Sequence, residues 1–332
     1  MKRKASLAFL FALLIFLVSC TDGQISRTVY TMDTIASFTM MPENTNAAGA
    51  IEELLFEIEE ELSMTDGVLC DLNTNGGGTA GPHLQELLQL SEKYRKETEG
   101  AFSPYLGALI ELWGVGGKNY VPTDEEILLA LSSAKRENVT VSGGELTLKN
   151  GAKLNFGAIA KGYATDRIRD LLLREKVKGA VVALGGNVYV HGKNPTGDMF
   201  RVAIRDPKGR ENDWILSLSL SDMFVISSGD YERYFEKDGK KYHHILNPET
   251  GRPAESDLVA ACVVAEDGAM ADAYSTALYV MGREDALSFW RRHTGFELVL
   301  IGRDGVVTVT EGLGQNFIRN ENKRYAYEIA NR

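Results

Sequence analysis

The chain has 332 residues, 44% hydrophobic and 25% charged, the make-up of a globular protein with enough material for one large core. Its formal net charge of −10 excludes a nucleic-acid partner, and no basic cluster offsets it. Three cysteines are too few for a disulfide framework and lack zinc-site spacing.

The chain opens MKRKASLAFLFALLIFLVSC, with Lys2, Arg3 and Lys4 ahead of an apolar run from Ala5 to Val18. That run is shorter than the roughly 20 residues of a membrane span and has the layout of a signal peptide. Leu17-Val18-Ser19-Cys20 has the form of a bacterial lipobox, in which the final thiol receives diacylglycerol. Residues 1–19 are expected to be a lipoprotein signal peptide, 20–27 a tether lipidated at Cys20, and 28–320 the folded domain. The expected location is the cell membrane, lipid-anchored and facing away from the cytoplasm.

Val29 to Met41 alternates and predicts a strand. Ala47 to Ser63 carries Ile51, Leu54, Leu55, Ile58 and Leu62 at helical spacing. Leu72 to Gly81 (LNTNGGGTAG) predicts a glycine-rich loop, and Pro82 starts a helix reaching about Thr98. Further helices are expected over Pro104–Trp113 and over Thr123–Ala134, the latter opened by the capping sequence Thr123-Asp124-Glu125-Glu126. Beyond Asn150, Lys161–Glu175 reads as a helix. Gly179–Leu184, Phe200–Arg205, Ile215–Leu220, Phe224–Ser227 and Leu258–Ala265 read as strands. Asp267–Met281 and Glu284–His293 are helical, and Glu297–Ile301 and Val306–Thr310 form a closing strand pair. Sequence-adjacent strand pairs outnumber βαβ units, so the class is α+β, with any two subdomains sharing a core. Cys70 and Cys262 could form one bond, but the apolar run Leu258–Val264 favours a buried free thiol at Cys262.

Four segments mix glycine, small residues and polar groups where a plain core would not. Asn155-Phe156-Gly157-Ala158-Ile159-Ala160-Lys161-Gly162 runs from a strand into a helix. Free N–H groups at that helix start and Lys161 suit an anion, although a tight strand–helix junction would use the same residues. Ala183-Leu184-Gly185-Gly186-Asn187 ends a buried strand where backbone can approach a ligand; a hairpin turn explains it equally well. Ser227-Ser228-Gly229-Asp230-Tyr231 leads on to His243-His244-Ile245-Leu246-Asn247-Pro248. Adjacent side chains of an extended segment point to opposite faces, so one of the two histidines is expected to face a pocket and serve as a general base near neutral pH. In Gly268 to Leu278, Asp272 and Thr276 share a helix face with Ser275 beside them, a hard-oxygen set suited to Mg²⁺ held partly by substrate phosphates.

In this order, over Thr28 to Leu313, these segments resemble the ApbE family of FAD:protein FMN transferases. The resemblance implies an ApbE-like, T-fold-related sheet core with packed helices in two intimately associated subdomains. It implies flavin contacts at Met32 (within Met32-Asp33-Thr34), Thr65, Ala101, Phe102, Ser103, Asn155, Lys161, His244 and Ile245. It implies Mg²⁺ held by the Ala158 carbonyl, Asp272, Ser275 and Thr276, with His244 as the base. FAD is then the substrate, and an acceptor flavoprotein carrying a threonine is the partner. The implied reaction moves FMN from FAD to that hydroxyl and releases AMP; Mg²⁺-dependent FAD hydrolysis to FMN and AMP, or FAD binding without turnover, are the alternatives. The sequence departs from the family pattern where Thr65 replaces a tyrosine, Ser103 and Asn155 replace carboxylates, and Asp33 replaces a glycine. Looser flavin binding is expected, because threonine offers little stacking area.

Overall fold

The computed structural model describes residues 23–210, 212–321, 323 and 325–332; the expected signal peptide and Cys20 lie outside them. A hairpin of β1 (Ile25–Thr31) and β2 (Thr34–Met41) is followed by α1 (Thr45–Leu62), α2 (Val68–Asn75), β3 (Gly77–Thr79), α3 (Pro82–Glu97), α4 (Gly107–Trp113) and α5 (Asp124–Ser133). Next come β4 (Val139–Ser142), β5 (Glu145–Leu148), α6 (Ala160–Arg174), β6 (Gly179–Leu184), β7 (Asn187–Gly192), β8 (Phe200–Arg205), β9 (Trp214–Leu220) and β10 (Met223–Gly229). The chain continues through β11 (Tyr234–Lys237), β12 (Lys240–His243), β13 (Leu258–Ala265), α7 (Gly268–Met281), α8 (Arg283–Arg292), β14 (Phe296–Gly302), β15 (Val306–Thr310), β16 (Phe317–Arg319) and β17 (Ala326–Ala330).

One nine-stranded sheet, in the order β1-β2-β6-β7-β10-β13-β14-β15-β17, divides the molecule into layers. Neighbouring strands are antiparallel except for the β15–β17 pair. All eight residues of β13 are buried, which places it under cover on both faces. Ala261, Val263 and Ala265 pack with residues of α1, α3, α6, α7 and α8. Ala260, Cys262 and Val264 pack against β8 and β9 on the other side, where β16-β9-β8 form a separate sheet. The result is an α+β architecture of helices, large sheet and small sheet. A satellite core joins Leu109 and Trp113 of α4, Ile127 of α5 and Leu246. Cys70 and Cys262 are free, the latter fully buried.

Three expectations change. The single strand from Val29 to Met41 is a hairpin whose turn residues, Met32 (φ 52°) and Asp33 (φ 56°), are left-handed. A side chain tolerates that conformation only at some cost, and Asp is among the residues that tolerate it best. The glycine-rich loop splits into the end of α2, capped by Gly76 in the left-handed region, and β3, which pairs with β5. The folded region is also longer than residues 28–320: Ile25 is buried opposite Met40, and β17 lies along β15.

The closest approach that positions the site is between α6 and α7. A Cβ on Gly162 would lie 2.1 Å from the Gly268 carbonyl oxygen, and one on Gly268 would lie 2.7 Å from that of Gly162. The two helices therefore touch backbone to backbone. Asp166, 4% exposed, accepts from the Gly268 and Ala269 N–H groups at 2.9 and 2.7 Å. Its carboxylate so covers the start of α7, where free N–H groups favour negative charge. Burial pushes this carboxyl up to about 6, against the pull of Arg169 at 2.7 Å and the two N–H donors.

Gly162→Ala is expected to destabilise the fold by at least about 1–3 kcal/mol through overpacking. Gly49→Ala in α1, where a Cβ meets nothing within 4 Å, should stabilise it by about 0.4–1 kcal/mol. Urea midpoints of the two variants against the parent protein test both signs.

Candidate functional site

A cleft of about 460 Å³ opens between the β1–β2 turn, the start of α6, the middle of α7 and the segment after β12. Its walls include Met32, Ala101, Phe102, Ser103, Asn155, Ala158, Lys161, His244, Ile245, Asp272 and Thr276. Sequence positions more than 200 residues apart thus meet in one place. Thr65 is not part of the wall: it is exposed, bonded to Ser63 at 3.2 Å and Asp66 at 3.2 Å, while its neighbour Met64 faces the cleft.

The rim at Met32 is held from the helical layer. Glu59 of α1 accepts from the Met32 N–H and from the Thr31 hydroxyl, both at 2.9 Å, so its two oxygens pin the left-handed turn. Beyond the turn the cleft is lined by Met64, Phe102, Leu106, Ile110, Trp113 and Ile245. This apolar and aromatic wall suits a flat ring system. Asn155 accepts from the Gly157 N–H at 2.9 Å through Oδ1, which leaves its amide nitrogen for a ligand. The Ser103 hydroxyl accepts weakly, at 3.3 Å, from Tyr105.

At the polar end the first turn of α6 is opened. The Gly162 N–H donates at 2.8 Å to Asp272 Oδ2, instead of to Ala158, its regular helical acceptor. Among the described residues the Ala158 carbonyl and Asp272 Oδ1 accept no hydrogen bond. A line of hydroxyls lies alongside. Ser275 donates to the Asp272 carbonyl at 2.9 Å, so Ser228 must donate to Ser275 at 2.8 Å and Thr276 to Ser228 at 3.0 Å, since each hydroxyl has one proton. The relay turns the Thr276 lone pairs toward the cleft. Ser275 is fully buried behind Ser228 and is absent from the cleft wall. No cluster of three or more His, Cys, Asp or Glu able to hold a metal exists among the described residues. The open oxygens of Ala158, Asp272 and Thr276 nonetheless fit a hard cation that takes its other ligands from phosphate or water.

The two histidines separate as alternation requires. His243 is 5% exposed, and its Nε2 donates to the Ala254 carbonyl at 3.1 Å. His244 faces the cleft; its Nδ1 donates to the Arg233 carbonyl at 3.1 Å. That bond places the neutral imidazole's proton on Nδ1 and leaves Nε2 as the acceptor. Desolvation pulls the ring down to about 4, more than the Arg233 carbonyl raises it, so His244 is neutral at physiological pH. Lys161 reaches only the Gly157 carbonyl, at 3.2 Å. Glu232 and Arg233 also line the cleft. Sequence reading passed over both because nothing in a Tyr-Glu-Arg-Tyr run distinguishes them from a solvated face. Burial raises the Glu232 carboxyl, with Lys161 and Arg233 lowering it and Asp272 raising it.

A family model described as the ApbE family matches residues 32–300. The FAD:protein FMN transferase of Treponema pallidum is 32% identical over 290 residues, covering 80% of each chain. That of Vibrio cholerae is 32% identical over 72% of this chain and 74% of its own. Among solved structures, the ApbE protein of Thermotoga maritima superposes with a TM-score of 0.81 at 32% identity, covering 88% of this chain and 99% of that one. The flavin transferase ApbE of Vibrio cholerae gives 0.75 at 25% identity, over 84% and 94%.

A histidine held down in the folded state protonates first in the unfolded chain. The part of stability tied to His244 is present above pH 6.5 and lost as pH falls toward 4. His244→Asn should therefore flatten the fall in stability over that window, measured by urea unfolding at pH 7, 6, 5 and 4.5; an unchanged slope would contradict the assigned burial.

Proposed function

The chain belongs to the ApbE family of FAD:protein FMN transferases, and from that premise we propose that it transfers FMN from FAD to a threonine hydroxyl of an acceptor flavoprotein, with Mg²⁺ as cofactor. The observation that carries this reading is the meeting, in one cleft, of a neutral base with a free Nε2 and a set of open hard oxygens beside Lys161. The apolar wall from Met32 to Trp113 would hold the isoalloxazine ring. Lys161 would face the pyrophosphate. Nε2 of His244 would take the proton of the attacking hydroxyl. As the new P–O bond forms to the FMN phosphorus, the anhydride P–O bond breaks, and its electron pair leaves on the AMP phosphate. Mg²⁺ held by the Ala158 carbonyl, Asp272 and Thr276 would supply positive charge to the phosphoryl oxygens, with Ser275 supporting it through the hydroxyl relay.

Attachment to a membrane through a lipid on Cys20, on the side away from the cytoplasm, is part of the proposal. It is supported by the Lys-Arg-Lys start, the apolar run and the Leu17-Val18-Ser19-Cys20 sequence. No helix among the described residues is long and apolar enough to cross a membrane.

The test is mass spectrometry of a threonine-containing acceptor after incubation with the protein, FAD and Mg²⁺, expecting an added FMN and one AMP per modification. Rapid FMN and AMP release without acceptor would favour the hydrolase instead. His244→Ala is expected to lower transfer about 10²–10⁴-fold, and the acid limb of kcat/KM for FAD should lie near pH 4 rather than 6.5. Asp272→Ala should abolish the Mg²⁺ dependence of FAD cleavage; cleavage at the parent rate with the same Mg²⁺ dependence would overturn the metal assignment.

A further inference from the structure

Arg233 is the most conspicuous uncommitted charge in the cleft. Its guanidinium makes no hydrogen bond and no ion pair with any described residue. Most other arginines whose chemistry shapes this fold are engaged: Arg169 holds Asp166, Arg283 holds Asp304, and Arg303 holds Asp230. A guanidinium with five donors, left free on a concave wall beside a lysine, is the arrangement that recognises phosphate oxygens.

The main chain of the same residue is fully engaged. The Arg233 carbonyl accepts both the backbone N–H and the Nδ1–H of His244, each at 3.1 Å. The residue therefore sets the tautomer and direction of the base with its backbone while its side chain enters the cleft that the base faces. A nucleophile deprotonated at His244 Nε2 attacks a phosphorus within reach of that ring, so the cation tied to the ring stands beside the same phosphorus.

We propose that Arg233 anchors the phosphoryl group that His244-assisted attack transfers, a second cation complementing Lys161. The proposal rests on the FAD reading above and extends it. The guanidinium binds the oxygens of the phosphate that stays with riboflavin, and its fork holds that phosphate in line with Nε2. Lys161, at the start of α6, and Arg233, ahead of β11, approach from different elements. Glu232, next to Arg233, occupies the same wall and is the charge a bound phosphate would have to displace or face.

Arg233→Met, which keeps an unbranched stem but removes the charge, should weaken FAD binding about 10–100-fold, the range for losing a charge-assisted hydrogen-bonded contact. Riboflavin, which lacks the phosphate, should bind within twofold of the parent value. Arg233→Lys should recover part of the loss for FAD, as charge without the fork. Fluorescence titration with FAD, FMN and riboflavin reads all three, and Arg233→Gln repeats the comparison should the methionine variant not fold. Equal weakening of FAD and riboflavin would make the residue merely structural, and unchanged FAD affinity would remove it from the site; either overturns the proposal. Failure of the parent protein to bind FAD would instead overturn the reading on which it rests.

Discussion

The contact between α6 and α7 is made where neither helix has a side chain to keep them apart. Gly162 and Gly268 bring two backbones together, and two carboxylates then bridge the junction in opposite directions. Asp166 of α6 covers the N–H groups that begin α7, and Asp272 of α7 takes the N–H of Gly162 in α6. Each helix end is satisfied by the other's side chain, so neither can shift without exposing buried donors. Close packing and polar satisfaction are here the same constraint.

The polar end of the cleft is a by-product of that junction. Diverting the Gly162 N–H to Asp272 strips the Ala158 carbonyl of its helical donor and leaves one oxygen of Asp272 open. Ser228, at the end of β10, then orders the hydroxyls of α7. The sheet, the helix pair and the segment after β12 thus each contribute to one corner, while Glu59 fixes the rim from α1. The apolar end depends on a different set, α4 and the loop before it, which packs with α5 around Trp113. Two cores therefore meet along the cleft.

Much of this was legible in the sequence. The spacing of Ile51, Leu55 and Ile58 marks α1, the Thr123–Glu126 capping box forms as written, and Leu258–Ala265 and Val306–Thr310 are strands with the expected bounds. Alternation also predicted that His243 and His244 would part. The Met32–Asp33 turn was not legible, because it carries no glycine and its conformation is imposed by Glu59 and by pairing of Tyr30 with Ile35. Asp33 in place of glycine is a conformational substitution, since the position asks for positive φ rather than for a side chain. The run Gly76 to Thr79 reads as a loop until β5 supplies a partner strand. Thr65 shows the reverse failure: correspondence with the family put it at the flavin, but local bonds to Ser63 and Asp66 keep it outside.

The charge distribution bears on how molecules come and go. A protein of net charge −10 repels an anionic nucleotide at distances beyond the roughly 10 Å screening length of 0.1 M salt. Lys161 and Arg233 act only inside that distance, so capture depends on short-range contact rather than on long-range steering. The same field works in the other direction once the anhydride is broken. AMP, no longer tethered to a ring in the apolar wall, is a small anion beside an acidic surface. Its escape into solvent is electrostatically downhill, and this makes turnover harder to reverse.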